Sequence, residues 1–291
     1  MISFGRVVTA MVTPFDHKGN IDFVKTTQLV NYLIDNGTDS IVVAGTTGES
    51  PTLSSEEKVA LFQHVVKVAN KRAKIIAGTG SNNTYASIEL TKKAEKVGVD
   101  ALLLVSPYYN KPNQQGLYEH FKAIAENTKL PIMLYNIPGR TGVTIGLDTI
   151  VKLSKIPNIV AIKESTGDIA AATQIIANTD EDFLLYSGDD YLTLPMLAIG
   201  GHGVVSVAAH VIGNEIQEMI QAYVSGEHQK AAKMHQHLLP LMNGLFMAPN
   251  PTPVKTALQL TGMDVGSVRL PLVPLTVDER KELNTLLAKY K

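Results

Sequence analysis

The chain has 291 residues, a formal net charge of -1 and no cysteine. That is the length of one large domain or two small ones, and without cysteine there is no disulfide framework, thiol nucleophile or thiolate metal site. The 26 Lys and Arg are matched by 27 Asp and Glu and form no basic stripe or arm, which excludes an obvious nucleic-acid partner.

The first twenty residues lack a charged segment followed by an apolar one, so no secretory signal is expected. No apolar run reaches the ~18–20 residues of a spanning helix. The expectation is a soluble cytoplasmic protein without a membrane partner.

Short apolar runs recur along the chain: Val7–Val12, Ser40–Ala44, Lys74–Ala77, Ala101–Val105, Ile132–Tyr135, Ile159–Ile162, Phe183–Tyr186 and Val204–Val207. Most are β-branched and apolar on both parities, as strands buried on both faces are. Helical patterns separate them. In 54–71, Val59, Phe62, Val66 and Ala69 share a face, and Ser54 and Glu57 have capping-box spacing. In 83–97, Glu89 stands four residues before Lys93, and Gly98 ends the helix.

Eight strands alternating with helices is the pattern of a (β/α)8 (TIM) barrel. A doubly wound sheet is the rival, but the first strand–helix connection, 13–20, holds no G-x-G-x-x-G. Beyond Gly213 only helical periodicity remains, with Met234, Leu238, Leu241 and Leu245 in step and Pro240 expected to kink that helix. Asn250-Pro-Thr-Pro253 reads as a helix start and Gly262 as a helix end. The expected organisation is a barrel over residues 1–225 with a C-terminal helical extension, 226–291, packed on it.

Barrel chemistry gathers at the C-terminal ends of the strands. There the sequence places Gly45-Thr-Thr-Gly-Glu-Ser50, Gly78-Thr-Gly-Ser-Asn82, Ser106-Pro-Tyr-Tyr-Asn110, Tyr135-Asn-Ile-Pro-Gly-Arg-Thr141, Lys163-Glu-Ser165 and Ser187-Gly-Asp-Asp190. Lys163 leaves an apolar strand, so its charge is either paired, for instance with Glu164, or suppressed by burial. A neutral amine there attacks ketones. Tyr135, on the preceding strand, either packs as a ring or shuttles protons. Thr46 and Thr47 are turn residues or, between glycines, part of a carboxylate cradle. Arg140 either makes a surface ion pair or grips a carboxylate with its fork.

Other chemistries fit less well. Gly200-Gly-His-Gly203 precedes the eighth strand and so lies at the wrong end of the barrel for a phosphate loop. The eight histidines do not cluster into a zinc ligand set. A serine triad lacks its nucleophile elbow. Glu49 and Glu164 are the strand-end carboxylates a glycosidase pair would need, but both sit inside motifs with another explanation. Neither a metal nor a cofactor is expected.

Gly45-Thr-Thr-Gly-Glu49, Tyr135-Asn-Ile-Pro138 and Ile162-Lys-Glu-Ser165, in this order and spacing, resemble the dihydrodipicolinate synthase/N-acetylneuraminate lyase family, end to end. The resemblance implies class I Schiff-base aldolase chemistry on a (β/α)8 barrel. Ser106-Pro-Tyr-Tyr-Asn-Lys-Pro112 and the Gly-Arg-Thr loop resemble the branch that condenses pyruvate with L-aspartate 4-semialdehyde to 4-hydroxy-tetrahydrodipicolinate, in diaminopimelate and lysine biosynthesis. A sibling lyase acting on N-acetylneuraminate or a 2-keto-3-deoxy sugar acid is the alternative, and a non-catalytic keto-acid-binding barrel the reading from another class.

By that resemblance Lys163 condenses with pyruvate. Thr47, Tyr135 and Tyr109 form a proton relay, with Tyr109 entering from a neighbouring subunit of a homotetramer built as a dimer of dimers. Thr46 and Thr47 hold the pyruvate carboxylate, Val205 adds a backbone contact, and Arg140 binds the semialdehyde carboxylate. Asn82 and Tyr108 match the family's lysine-inhibitor site. The histidines and glutamate that receive the inhibitor there are replaced by Ser55, Lys58 and Ala86, which implies weak or absent inhibition by L-lysine.

Overall fold

The computed structural model describes residues 3–290; Met1, Ile2 and Lys291, the outermost residues of the two expected spans, lie outside them. Eight parallel strands close into one barrel in chain order. They are β1 (Val7–Ala10), β2 (Ser40–Val43), β3 (Lys74–Gly78), β4 (Ala101–Val105), β5 (Ile132–Asn136), β6 (Ile159–Glu164), β7 (Leu184–Ser187) and β8 (Gly203–Ser206), with β1 pairing β8 to complete the ring.

Around them run α1 (Phe23–Asp35), α2 (Ser55–Ala69), α3 (Thr84–Lys96), α4 (Gln114–Ala125), the single turn α5 (Pro138–Thr141), α6 (Leu147–Leu153), α7 (Ile169–Asn178), α8 (Thr193–Ala198) and α9 (Ala209–Val224). The C-terminal helices are α10 (His228–Gly244), α11 (Thr252–Leu260) and α12 (Val277–Leu287). α10 packs on α9 and α12, and α11 on α9 and α12.

Each strand is apolar on both parities because both of its faces are covered. Successive side chains alternate between them. Val8, Ala10, Val42, Ile76, Leu103, Met133, Ala161 and Val205 fill the barrel. Val7, Ile41, Val43, Ile75, Leu102, Leu104, Leu134 and Ile162 face the helices. Phe4 closes the N-terminal end; it is buried among the interior residues, and its N–H donates to the Tyr186 hydroxyl at 3.3 Å.

The helix signals act as expected in α2 and α3. Ser54 and Glu57 form the full capping box, and Asn83 caps α3 by accepting from Ala86 N at 3.1 Å. Gly98 takes the left-handed conformation just beyond α3.

Three details differ. The fully buried face of α2 is Leu61, Phe62, Val65 and Ala69; Val59 and Val66 sit at its margins. Glu89 pairs with Lys92 at 3.2 Å instead of Lys93, since positions three apart are also neighbours on a helix. α10 continues through Pro240 to Gly244, and the non-helical residue lies in α9, at Ile212.

Candidate active site

β6 runs two residues further than its apolar core predicts, because Lys163 and Glu164 keep register with Tyr135 and Asn136 of β5 and with Tyr186 and Ser187 of β7. Strand alternation then separates the two charged residues. Ala161 points into the barrel and Ile162 toward the helices, so Lys163 points inward and Glu164 outward. Glu164 is held by Asn136 Nδ2 at 3.0 Å and by Thr166 N–H at 2.7 Å, and burial raises its pKa. The pairing of Lys163 with Glu164 therefore does not form.

Lys163 is 5% exposed and makes no ion pair among the described residues. Its Nζ lies 4.1 Å from the centroid of the Tyr135 ring. The ring face gives the nitrogen a close neighbour without tying it up in a hydrogen bond. Gly188 makes room for the side chain, since a Cβ there would stand 2.9 Å from Lys163 Cε and 1.7 Å from Ser165 Oγ. Asp189, next in the chain, has its pKa pushed up to about 6 by burial, with the Lys163 charge pulling the other way. Asp190 is spent on structure, accepting from Ser206 Oγ and from Val207 N–H and Ala208 N–H at 3.0 Å each.

Above this level a cavity of about 280 Å³ opens at the C-terminal rim. Thr46, Tyr135 and Arg140 line it, with Gly45, Gly78, Gly80, Ser81 and Tyr108. Its wall carries two cations, Arg140 and Lys58, and, among the described residues, no carboxylate. Arg140 sits in α5, whose Thr141 side chain ties back to Ile137 O at 3.0 Å and Val143 O at 2.9 Å. Burial lowers the pKa of Lys58. Asn82 Nδ2 donates to Tyr108 O at 3.1 Å, fastening the loops after β3 and β4 together.

Of the remaining expected residues, Val205 is fully buried in β8, in register with Val8. Thr47 is buried, and its hydroxyl accepts from Asn250 Nδ2 at 3.0 Å. Tyr109 stands apart. It is 90% exposed, with a left-handed φ of 72°, and within one chain it is not on the cavity wall.

The loop after β2 depends on residues far away in sequence. Its ends, Ala44 and Glu49, hold left-handed φ of 54° and 57°, conformations that persist only when the surroundings enforce them. Glu49 is enforced by a buried ion pair with Lys255 Nζ at 2.7 Å and by Arg269 N–H at 2.8 Å. Lys255 and Arg269 lie over the Phe15 ring, at 4.2 and 4.4 Å. Burial pulls the Lys255 pKa down to about 8, opposed by the Glu49 charge. The sequence signal for Lys255 is that it is the one charge within α11, whose core-facing positions are otherwise apolar or hydroxylic. Asn250 has no comparable local signal.

Residues 3–290 match the model of the Dihydrodipicolinate synthetase family. The chain belongs to the dihydrodipicolinate synthetase family. Within it, a 4-hydroxy-tetrahydrodipicolinate synthase of Bacillus subtilis is 63% identical over 289 residues, covering 99% of this chain and all of that one. A crystal structure of dihydrodipicolinate synthase from Bacillus anthracis is 67% identical, with a TM-score of 0.98 and 99% of each chain covered. A dihydrodipicolinate synthase from Cyanidioschyzon merolae, determined with lysine bound, is 48% identical, with a TM-score of 0.96 and 98% of each chain covered. The barrel and the Tyr135–Lys163 pair thus stand in a family of pyruvate-condensing enzymes.

Proposed function

We propose that this chain condenses pyruvate with L-aspartate 4-semialdehyde through a Schiff base on Lys163, giving 4-hydroxy-tetrahydrodipicolinate for diaminopimelate and lysine synthesis. The observation that carries the site assignment is Lys163 itself: an amine buried at the end of β6, without a carboxylate partner, over Tyr135.

In this reading the neutral Lys163 amine adds to C2 of pyruvate. Loss of water from the carbinolamine gives a protonated imine, an electron sink that lets a methyl proton leave. The resulting enamine attacks the aldehyde carbon. The amino group of the bound semialdehyde then adds to the imine carbon and displaces Lys163, closing the ring. Tyr135 and Thr47, with Tyr109 from a neighbouring subunit, carry the protons. Thr46, Thr47 and the Val205 backbone hold the pyruvate carboxylate.

Arg140 supplies the fork for the second carboxylate. A carboxylate-free cavity wall with two cations supports a short anionic aldehyde over a neutral polyol. The exposure and left-handed backbone of Tyr109 support a role across an interface of a cytoplasmic homotetramer. The turn at Gly226, between α9 and α10, supports dividing the chain into a barrel and an extension near residue 225.

Borohydride reduction in the presence of pyruvate tests the first step. A pyruvyl mass adduct on the peptide bearing Lys163 is expected, and its absence would overturn the aldolase reading. Assays with aspartate semialdehyde and with N-acetylneuraminate separate the synthase from its sibling lyases. L-Lysine is expected to inhibit weakly or not at all, because Lys58 brings like charge to the cavity wall; half-inhibition below millimolar lysine would contradict that.

A further inference from the structure

Thr47 is expected to work by moving and donating a proton, so the direction of its hydroxyl matters. A threonine hydroxyl has one proton to give and two lone pairs to receive with. In this structure one lone pair is taken by Asn250 Nδ2, at 3.0 Å. Asn250 belongs to neither the barrel nor any rim motif; it sits in the connection between α10 and α11. Both side chains are buried.

Three observations separate this contact from ordinary packing. First, Thr47 is the sole side-chain hydrogen-bond partner of Asn250 among the described residues, and Asn250 Oδ1, also buried, has none. A buried amide that leaves its acceptor unpaired is costly, and native structures keep few such groups. Second, the loop that carries Thr47 is fixed without Asn250. Thr13 Oγ1 donates to Gly48 O at 2.7 Å, Lys255 pairs with Glu49 at 2.7 Å, and Arg269 N–H donates to Glu49 at 2.8 Å. Removing the amide leaves the backbone anchored and frees only the hydroxyl rotor. Third, a donor at that spot forbids the Thr47 proton from pointing toward Asn250, leaving the proton and one lone pair for the reacting groups.

We infer that Asn250 is a positioning residue for the condensation: its amide sets the direction of the Thr47 hydroxyl, and with it the polarity of the proton relay. The inference rests on the proposed role of Thr47 and deepens it.

The test is a double-mutant cycle on the full-length enzyme, read by pyruvate kinetics and pH profile. Asn250→Ala is expected to lower kcat ten- to a hundredfold, to change KM for pyruvate less than threefold, and to keep the borohydride adduct on Lys163. In a Thr47→Ala background it is expected to cost less than twofold further, because residues acting as a unit are not additive.

Asn250→Asp keeps the size and shape of the side chain, and so holds the test if the alanine variant folds poorly. An ionised carboxylate only accepts, and it would draw the Thr47 proton out of the relay. A protonated one donates again. Its residual activity is therefore expected to rise, relative to the parent, as the pH falls. A kcat within twofold of the parent for Asn250→Ala, an equal loss in both backgrounds, or an aspartate variant with the parent's pH profile would each overturn the inference. If Thr47→Ala alone costs nothing, the relay reading of Thr47 fails instead.

Discussion

Among the described residues two lysines are buried, each over an aromatic ring, and they are opposites. Lys163 is 5% exposed, 4.1 Å from the centroid of Tyr135. Lys255 is 2% exposed, 4.2 Å from that of Phe15. Lys255 is committed: Glu49 lies at 2.7 Å and Ser267 O accepts from Nζ at 2.8 Å. Lys163 has neither kind of partner among the described residues. A cation–π contact is tolerant of either outcome, so burial alone does not mark a reactive amine. In the proposed function it is the lack of committed hydrogen-bond partners that sets Lys163 apart, since a nucleophilic amine needs a free lone pair.

The same substitution at both positions breaks the comparison if it is wrong. Lys163→Met is expected to reduce turnover by more than roughly 10³-fold, through loss of the covalent nucleophile, while unfolding free energy in urea moves by no more than about 1 kcal/mol. Lys255→Met is expected to cost about 3–5 kcal/mol of stability, since it removes the cation paired with the buried Glu49 carboxyl. Adding Glu49→Gln should recover much of that loss. If Lys163→Met proves the more destabilising of the two, the assignment of roles is reversed.

A smaller effect sharpens the Lys163 side. Gly188→Ala puts a methyl group 2.9 Å from Lys163 Cε. Ser165 Oγ can rotate away, but the lysine stem must shift. Displacing a reacting group by a fraction of an ångström to an ångström costs roughly 10- to 100-fold, so kcat/KM should fall in that range, and the yield of borohydride adduct at limiting pyruvate with it.

The smallest effect extends the rule to a histidine. His210 is buried with both nitrogens committed, Nε2 accepting from Val12 N–H at 3.1 Å and Nδ1 donating to Val207 O at 2.8 Å. That pattern requires the neutral ring, and burial pushes its pKa down to about 4. The unfolded chain takes up this proton first, near the ordinary value of 6.5. The contribution of His210 to stability is therefore complete above pH 6.5 and is lost as the pH falls toward 4. Urea midpoints measured across that window should decline, and His210→Gln should flatten the slope without altering the Lys163 adduct.

Much of this was legible from the residues. The barrel followed from eight apolar runs with hydrophobic residues on both parities. The location of Lys163, Tyr135, Thr46 and Arg140 at the C-terminal rim follows from asking what stands after each run. The caps of α2 and α3 followed from local patterns, since a cap reaches only three residues.

What stayed hidden is long-range. Asn250 meets Thr47, and Lys255 meets Glu49, across about two hundred residues, and nothing in their own neighbourhoods names the partner. Glu164 looked like a companion for Lys163 because the two are adjacent in sequence, whereas in a strand adjacency means opposite faces. The exact stripe of α2 was also unreadable, because a helix bordering both the barrel and its neighbouring helices is apolar over more than one face.

Phe4, wedged among the interior side chains and tied to Tyr186, leaves the barrel a blind well. Whatever reaches Lys163 must come down past Tyr135 from the rim, and in the proposed reading the water lost on imine formation would leave the same way. In that reading, a keto acid held on Lys163 at the bottom and an aldehyde gripped at the mouth by Arg140 would have to be loaded in that order. The second arrival then acts as the stopper, so a semialdehyde that comes first would be expected to bar the door to pyruvate.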